Sequence, residues 1–203
     1  IEQHHHIDEA IEIYEKALKL KPRDPDVLHN LGIAFEIKQD ESKSALYFGD
    51  YAYLQENFEE AIVHYNKLLE IQTGTLELYL NLAKCYRNLN QQQETLETYQ
   101  EGIKHYPKAP ELYFWLIIAL QMFGRIQEAN SVVSKASQLL PNDLILKLEE
   151  QRLLPIIYDT PEEIDFYRRR FTQYLENLMT QVSLDSPEAI QKAKVAIGAR
   201  TNF

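Results

Sequence analysis

A period of 34 residues limits most strongly what this chain can fold into. Small and apolar side chains return at this interval through the middle of the sequence, namely Gly49, Ala83 and Ile117; Ala61, Thr95 and Ala129; and Tyr65, Tyr99 and Val133. A fixed period of this length is typical of solenoids, in which each repeat buries its apolar face against its neighbours. We therefore expect a stack of helical repeats with a continuous apolar seam rather than one central core.

Each period divides into a first helix, A, and a second helix, B. In the unit beginning at Leu76, the packing positions hold Tyr79, Leu82, Ala83 and Tyr86 on helix A, then Thr95, Tyr99, Gly102 and Pro107 on helix B and at its end. Small residues let the helices approach, and proline stops helix B because it lacks an amide donor. This pattern resembles the tetratricopeptide repeat (TPR) over residues 7–141. The resemblance implies an all-α TPR solenoid of antiparallel helix pairs, wound as a right-handed superhelix, with C-terminal capping helices.

The period fails once, by half a repeat, near residues 36–42. Gly32 and Gly49 both occupy the small-residue position of a helix A, yet they are only 17 residues apart. A helix B is therefore missing between Phe35 and Ser42. Either the chain has lost half a repeat, so that two A-type helices follow one another, or a stretch of chain is omitted and the numbering runs across the gap. We favour the omission, because two A-type helices in succession would leave a badly filled seam.

After Pro141 the period fades, so we divide the chain into a solenoid over residues 1–141 and a C-terminal region over residues 142–203. Residues 142–153 are predicted to form a capping helix whose apolar side chains cover the end of the solenoid: Leu144, Ile145, Leu148 and Leu153. Thr160 and Ser186 each predict the start of a further helix, because a hydroxyl N-cap there precedes a proline in the first helical turn.

Residues 154–171, with the sequence LPIIYDTPEEIDFYRRRF, and the ending Thr201-Asn202-Phe203 carry a second resemblance. They resemble the region that follows the repeats in the cyanobacterial SPINDLY / O-linked N-acetylglucosamine transferase family. In that family the repeats recruit protein substrates, and a C-terminal pair of Rossmann-like domains transfers a sugar from a nucleotide donor. The resemblance implies that residues 142–203 form a capping helix, a linker and helices leading to a catalytic domain that is absent here.

The formal net charge of −10 and the single cysteine argue against several classes of function. An acidic chain repels a phosphate backbone, so we do not expect a nucleic-acid partner. We expect no membrane partner either, because no apolar run approaches the roughly 20 residues needed to span a bilayer. Cys85 cannot form an internal disulfide and fits a reducing, cytoplasmic compartment. His4, His5 and His6 are native or the remnant of a purification tag; adjacent residues of one helical turn point in different directions, so we expect no metal site.

The concave face of a TPR solenoid is lined by the A helices, and their exposed positions supply the candidate groove residues. These are Asn30, Tyr47, Asp50, Asn81, Lys84, Arg87, Phe114, Trp115, Ile118 and Met122. The transferases resembled here often place Asn at one of these positions, where its amide bonds an extended peptide. Asn30 and Asn81 match that arrangement, whereas Tyr47 and Trp115 depart from it. Alternatively, the two asparagines are solvated or bond to neighbouring helices.

The last repeat predicts an apolar pocket for an anchor residue of a peptide or helix, formed by Phe114, Trp115, Ile118 and Met122. The alternative is that the C-terminal tail folds back and covers them. Another TPR device, the clamp for a terminal carboxylate, asks for Lys and Asn where this chain has His29 and Ile33. We therefore expect no clamp for chaperone tails.

No Ser-His-Asp triad, carboxylate pair or glycine-rich phosphate loop stands out, so we expect neither enzymatic activity nor a cofactor. The pattern predicts a module that binds a peptide or protein partner in its groove. The second resemblance implies the substrate-recruiting region of a SPINDLY-like protein glycosyltransferase. The alternative is a free-standing TPR scaffold with no associated enzyme.

Overall fold

The computed structural model describes residues 2–152, 160–181 and 185–198. These residues form helices and turns, with no strand among them, which confirms the predicted all-α class. In chain order the helices are α1 (Glu2–Leu20), α2 (Pro25–Ile37), α3 (Glu41–Leu54), α4 (Phe58–Ile71), α5 (Leu76–Asn88), α6 (Gln92–His105), α7 (Pro110–Met122), α8 (Ile126–Leu139), α9 (Leu144–Arg152), α10 (Pro161–Gln181) and α11 (Pro187–Gly198).

The helices fall into two compact units, residues 1–106 with α1 to α6 and residues 107–203 with α7 to α11. In the first unit each helix packs on the one that follows it. In the second unit α9 packs against α7 and α8 and also contacts α10 and α11. The capping helix α9 thus groups with α7 and α8.

Four helices of the first unit, α2 to α5, begin where the sequence supplies a side chain that accepts backbone N–H groups, whereas α6 begins without such a cap. The Asp24 carboxylate accepts from two N–H groups at the start of α2, at 3.1 and 3.4 Å. Asp40, Asn57 and Thr75 cap α3, α4 and α5 in the same way. Because the first N–H groups of a helix have no partner within it, these caps determine where each helix starts.

Among the described residues one turn geometry recurs four times, between α2 and α3, α3 and α4, α5 and α6, and α7 and α8. Its central residue has a positive φ, which is 59° at Gln39, 57° at Glu56, 56° at Asn90 and 72° at Gly124. The N–H of the following residue donates to the carbonyl five residues before it, at 2.8 to 3.0 Å, as at Schellman-type helix ends. The last three turns follow the long period, but the first precedes the second by 17 residues.

The helix α3 therefore plays two parts, as the second helix of a pair with α2 and the first helix of a pair with α4. Both pairings use the same contact, in which a glycine receives an aromatic ring. A Cβ on Gly32 would lie 2.7 Å from the Phe48 ring, and a Cβ on Gly49 would lie 2.7 Å from the Tyr65 ring. The seam between α2 and α3 is thus filled, and the expectation that these helices would pack badly is wrong.

The connection between α2 and α3 is direct. Residues 38–40 form a turn in which Lys38, Gln39 and Asp40 donate backbone hydrogen bonds to the end of α2, at 3.2, 2.9 and 3.0 Å. In this structure the half repeat is accommodated because one helix, α3, is shared by two pairs.

The core of the first unit combines small and large side chains. One cluster contains Ala45, Ala52, Ala61, Tyr65, Leu68, Leu78, Leu82 and Cys85, and another contains Ile11, Leu31, Ala34 and Phe35. The alanines allow the backbones of neighbouring helices to approach, and the large residues fill the space between them. This arrangement holds α3 and α5 in fixed positions at the groove described below.

In the second unit α7 is buried on almost every face. Its buried residues are Leu112, Tyr113, Phe114, Leu116, Ile117, Ile118, Ala119 and Leu120. In α9, Leu146 and Glu149 are buried, at 0% and 1% exposure. The predicted covering residues Leu144, Ile145 and Leu148 are only half-buried, and Leu153 lies outside the described residues. The sequence pattern thus predicts that this helix forms, but not which of its faces packs against α7 and α8.

The starts of α10 and α11 are confirmed. The Glu163 N–H donates to the Thr160 hydroxyl at 3.2 Å, and the Ala189 N–H donates to the Ser186 hydroxyl at 3.1 Å. A hydroxyl N-cap followed by proline was the sequence signal for both helices, and proline is tolerated there because the first helical residue needs no amide donor.

Candidate functional site: a groove along α3 and α5

A cavity of about 220 Å³ opens in the first unit at the end of α1, beside α3 and α5. It is lined by Leu18, Pro22, Arg23, Leu28, Tyr47, Asp50, Tyr53, Leu54, Glu77 and Asn81. A second cavity of about 300 Å³ shares Arg23, Tyr53 and Leu54 with the first and adds Glu56, Phe58, Lys84 and Asn88. Because the two cavities share lining residues, we treat them together as the α3–α5 groove.

Asp50 is a partly buried carboxylate of this groove. The hydroxyl of Tyr65, whose side chain has no exposed surface, donates to Asp50 Oδ1 at 2.7 Å. Burial raises the pKa of Asp50 to about 6. The Tyr65 hydrogen bond and the charge of Arg23 oppose this rise, and the nearby charge of Glu77 adds to it. Burial also raises the pKa of Tyr65, so its hydroxyl keeps its proton and remains a donor. Asp50 is thus ionised at neutral pH, at a desolvation cost that its surroundings offset only in part.

Tyrosine rings form part of the groove wall. Tyr47 stacks on Phe35, with the ring centroids 5.5 Å apart and an angle of 11° between the planes. The Lys84 ammonium lies 5.1 Å from the centroid of the Tyr53 ring. The electron-rich face of a tyrosine ring attracts a cation placed over it. The groove wall can therefore contact both apolar stems and positively charged groups.

An ion pair lies at the rim of the groove. Arg23, in the turn between α1 and α2, approaches Glu77 of α5 to 3.7 Å, and the two side chains are 67% and 74% exposed. Pairs this exposed contribute little to stability because water screens them and both side chains lose freedom. A partner could therefore rearrange the rim at small cost, whereas Asp50 is held in place by Tyr65.

The structure brings four of the ten predicted groove residues together. Tyr47, Asp50, Asn81 and Lys84 all line the α3–α5 groove. Asn30 is exposed on α2 and Arg87 is half-buried in the last turn of α5, and neither is among the residues that line the two cavities. The two asparagines predicted to bond an extended peptide are thus placed differently, because Asn81 lines the groove and Asn30 does not.

The predicted apolar pocket on α7 needs correction. Phe114 and Ile118 are 6% and 4% exposed, so they pack inside the protein and do not line an open surface. The physical reason is that α7 is apolar on all its faces, and a helix of this kind is buried. Trp115 is half-buried and packs edge-on against Phe114, with centroids 5.1 Å apart. Met122 alone of the four is largely exposed, at 60%.

Sequence reasoning missed the contribution of α1 and of the turn after it. Leu18, Pro22 and Arg23 line the groove although they precede the first A helix. The prediction considered only positions on A helices, and for that reason it excluded this turn. The available signal was the placement of Arg23 between Pro22 and Pro25, since two prolines restrict the turn and limit where the arginine can point.

Other kinds of site find little support in the described part of the chain. Across residues 2–152, 160–181 and 185–198, no helix combines the length and apolar character needed to cross a bilayer. Over the same ranges, no group of three or more His, Cys, Asp or Glu side chains is arranged to hold a metal ion. Cys85 is buried, which raises the pKa of its thiol to about 12 and makes it a poor nucleophile.

Comparisons with known proteins agree with this architecture. Residues 6–38 match a family model described as TPR repeat, and residues 77–109 match a model described as tetratricopeptide repeat. The first segment lies within the first unit, and the second begins in that unit and extends past its end. The second match begins within α5 and runs through α6, a helix pair whose joining turn has the recurrent geometry.

Two curated relatives and one solved structure illustrate the similarity. The Hsp70-Hsp90 organizing protein of Triticum aestivum is 31% identical over 168 residues, which cover 78% of this chain and 28% of that protein. The photosystem I assembly protein Ycf3 of Synechococcus sp. (strain CC9605) is 33% identical over 80 residues, covering 39% and 44%. The chain thus spans less than half the length of either relative. YrrB, described as a TPR protein with an unusual peptide-binding site, has the same fold, with a TM-score of 0.56, 16% identity and coverage of 91% and 99%.

Proposed function

Because the chain is a tetratricopeptide-repeat protein, we propose that it is a protein-interaction scaffold that holds an extended segment of a partner in the α3–α5 groove. The observation that carries this proposal is the combination of groups in one groove. Asp50 and Asn81 offer hydrogen-bonding groups, Tyr47 and Tyr53 offer ring surface, and Leu54 offers apolar surface. Binding sites for extended peptides combine apolar or aromatic contact with a few fixed polar groups in this way.

The names of the relatives support the same class of function. One relative is named an organizing protein and another an assembly protein, and YrrB is described as having an unusual peptide-binding site. These similarities extend over part of each curated relative, so the partner of this chain is not inferred from them. The groups that line the groove, rather than the relatives, lead us to propose a peptide segment of a protein as the partner class.

The link to a sugar transferase has weaker support than the scaffold. Of the residues that carry the resemblance to the SPINDLY family, 154–159 and 201–203 lie outside the described residues. The relatives reported above are an organizing protein and an assembly protein. We therefore prefer the free-standing scaffold, the alternative that the sequence left open, and propose no attached enzyme.

A selection from a random peptide library tests the proposal. The full chain is immobilised, and enriched peptides are measured by fluorescence polarisation. We expect peptides that bind in the micromolar range and lose binding to Asn81→Arg, since the longer side chain would occupy the groove. The matched control is Asn142→Arg, the same change at an exposed position in the turn before α9. Peptides that bind Asn81→Arg as tightly as the unchanged protein, or no enrichment at all, would refute the groove as the binding site.

A further inference from the structure

We propose that the 220 Å³ cavity of the α3–α5 groove is a pocket for one basic side chain, an arginine or lysine of the bound segment, with Asp50 as its counter-ion. This inference rests on the proposed function, because it names the side chain through which the partner would be recognised. It differs from recognition of a terminal carboxylate, which requires basic rather than acidic groups in the pocket.

The size of the cavity matches a single side chain. Pockets for whole small molecules usually measure roughly 300–1,000 Å³, whereas this cavity measures about 220 Å³. Leu18, Pro22 and Leu28 line it together with Asp50. Arginine and lysine carry an apolar stem with a charged end, so they can place the stem on apolar surface and the charge on a carboxylate.

The charges of the cavity select the sign of its occupant. Among the described residues, the hydrogen-bond donor that reaches Asp50 is the Tyr65 hydroxyl, which engages Oδ1. Covering the carboxylate with an apolar side chain would remove it from water without supplying a cation, which is costly. An acidic side chain would be repelled by Asp50 and by Glu77 at the rim. A basic side chain alone among these classes adds positive charge beside Asp50, to that which Arg23 supplies from the rim.

Arg23 is the cation among the residues that line this cavity, and it does not occupy the place of the ligand. It lies at the rim, 3.7 Å from Glu77, and is largely exposed. Its charge is therefore shared with Glu77 and screened by water. A second basic group from the partner can reach Asp50 without displacing a buried ion pair.

The rings beside Asp50 favour the same occupant. Tyr47 and Tyr53 both line the cavity. In the adjoining cavity the chain already places its own Lys84 ammonium over the Tyr53 ring, at 5.1 Å from the centroid. A guanidinium or ammonium group beside a tyrosine face gains a cation–π attraction in addition to its pairing with the carboxylate.

The test uses the peptide selection described above, repeated on Asp50→Asn. Asparagine keeps an oxygen that can accept the hydrogen bond from the Tyr65 hydroxyl, and it removes only the charge. The control is Glu70→Gln, which removes one acidic charge at an exposed position of α4. This control is needed because a protein with a net charge of −10 attracts cations diffusely.

We expect the peptides enriched on the unchanged protein to share one basic position. Replacing that residue by Gln should weaken binding by about 30-fold, as for partly desolvated charge pairs. The same replacement in the peptide should weaken binding less than 3-fold on Asp50→Asn and about 30-fold on Glu70→Gln. Peptides without a basic position, or an equal loss with Asp50→Asn, would overturn the basic pocket and leave the groove intact. No enrichment on any variant would overturn the proposed function and the pocket with it.

Discussion

Asp50→Asn should make the protein more stable at neutral and alkaline pH. The carboxyl has a pKa of about 6 in the folded protein, against an ordinary value of 3.8, because burial disfavours its charged form. One pKa unit corresponds to about 1.4 kcal/mol, so the difference amounts to about 3 kcal/mol when the group is fully ionised. Asp50 is half-buried, so screening by water reduces the expected gain from the neutral amide to about 2 kcal/mol.

The sign of the pH dependence follows from proton binding. The folded protein holds the Asp50 proton more tightly than the unfolded chain does, so this group adds stability below about pH 4. That contribution is lost as the pH rises towards 6 and through it. The stability gap between Asp50→Asn and the unchanged protein should therefore be small at pH 4 and reach its full size above pH 7. Glu77, Arg23, Tyr47 and Tyr65 surround Asp50 and are present in both proteins, so the comparison isolates the change at residue 50.

Urea unfolding followed by circular dichroism at a series of pH values between 4 and 8 measures this gap. Glu70→Gln serves as the control, because it removes an exposed charge, and its stability should change by less than about 0.5 kcal/mol at any pH. A gap that stays constant from pH 4 to pH 8 would show that burial of the charge is not its cause. A variant less stable than the unchanged protein at pH 8 would refute the reasoning entirely.

Three further substitutions and one labelling reaction test the packing around α3. Gly49→Ala should destabilise the protein by about 2 kcal/mol, because the new Cβ meets the fully buried Tyr65 ring. Gly32→Ala should cost less than about 1 kcal/mol, because the half-buried Phe48 ring can move. Urea unfolding that ranks the two variants in the reverse order would contradict this reasoning. Tyr65→Phe should cost about 1–3 kcal/mol, and more at pH 8 than at pH 4, since it removes the donor to an ionised carboxylate. At pH 8 a thiol reagent should label Cys85 only on unfolding, and rapid labelling of the native protein would contradict its burial.

The local features of the fold could be predicted from the sequence because they depend on neighbouring residues. Small residues at fixed spacing mark where helices approach, and Thr160 and Ser186 mark helix starts through hydrogen bonds that span three residues. Groove residues on α3 and α5, such as Asp50 and Asn81, also follow from position within a repeat. These signals need no knowledge of which helix lies across from which.

The features that escaped prediction depend on contacts between distant segments. Phe114 and Ile118 occupy positions that a repeat pattern assigns to an open face, yet α7 is packed on almost all sides. Arg23 reaches the groove from a turn that belongs to no A helix. The Tyr65 hydrogen bond to Asp50 joins helices whose pairing the pattern does predict, but the pattern does not specify a partner for the hydroxyl.

The shared helix α3 explains why the broken period does not break the fold. Phe48 and Tyr51 face α2, where His29 contacts both rings at 5.8 and 4.9 Å. The stripe at positions 45, 49 and 52 packs towards α4, and the stripe at positions 47, 50 and 54 lines the groove. Residues spaced by three and four share one face of a helix, so three such stripes fit around one helix without conflict. Because three faces of α3 pack against other helices or line the groove, few of its positions lack contacts. We therefore expect α3 to tolerate substitution less well than α4, whose Val63 is 65% exposed.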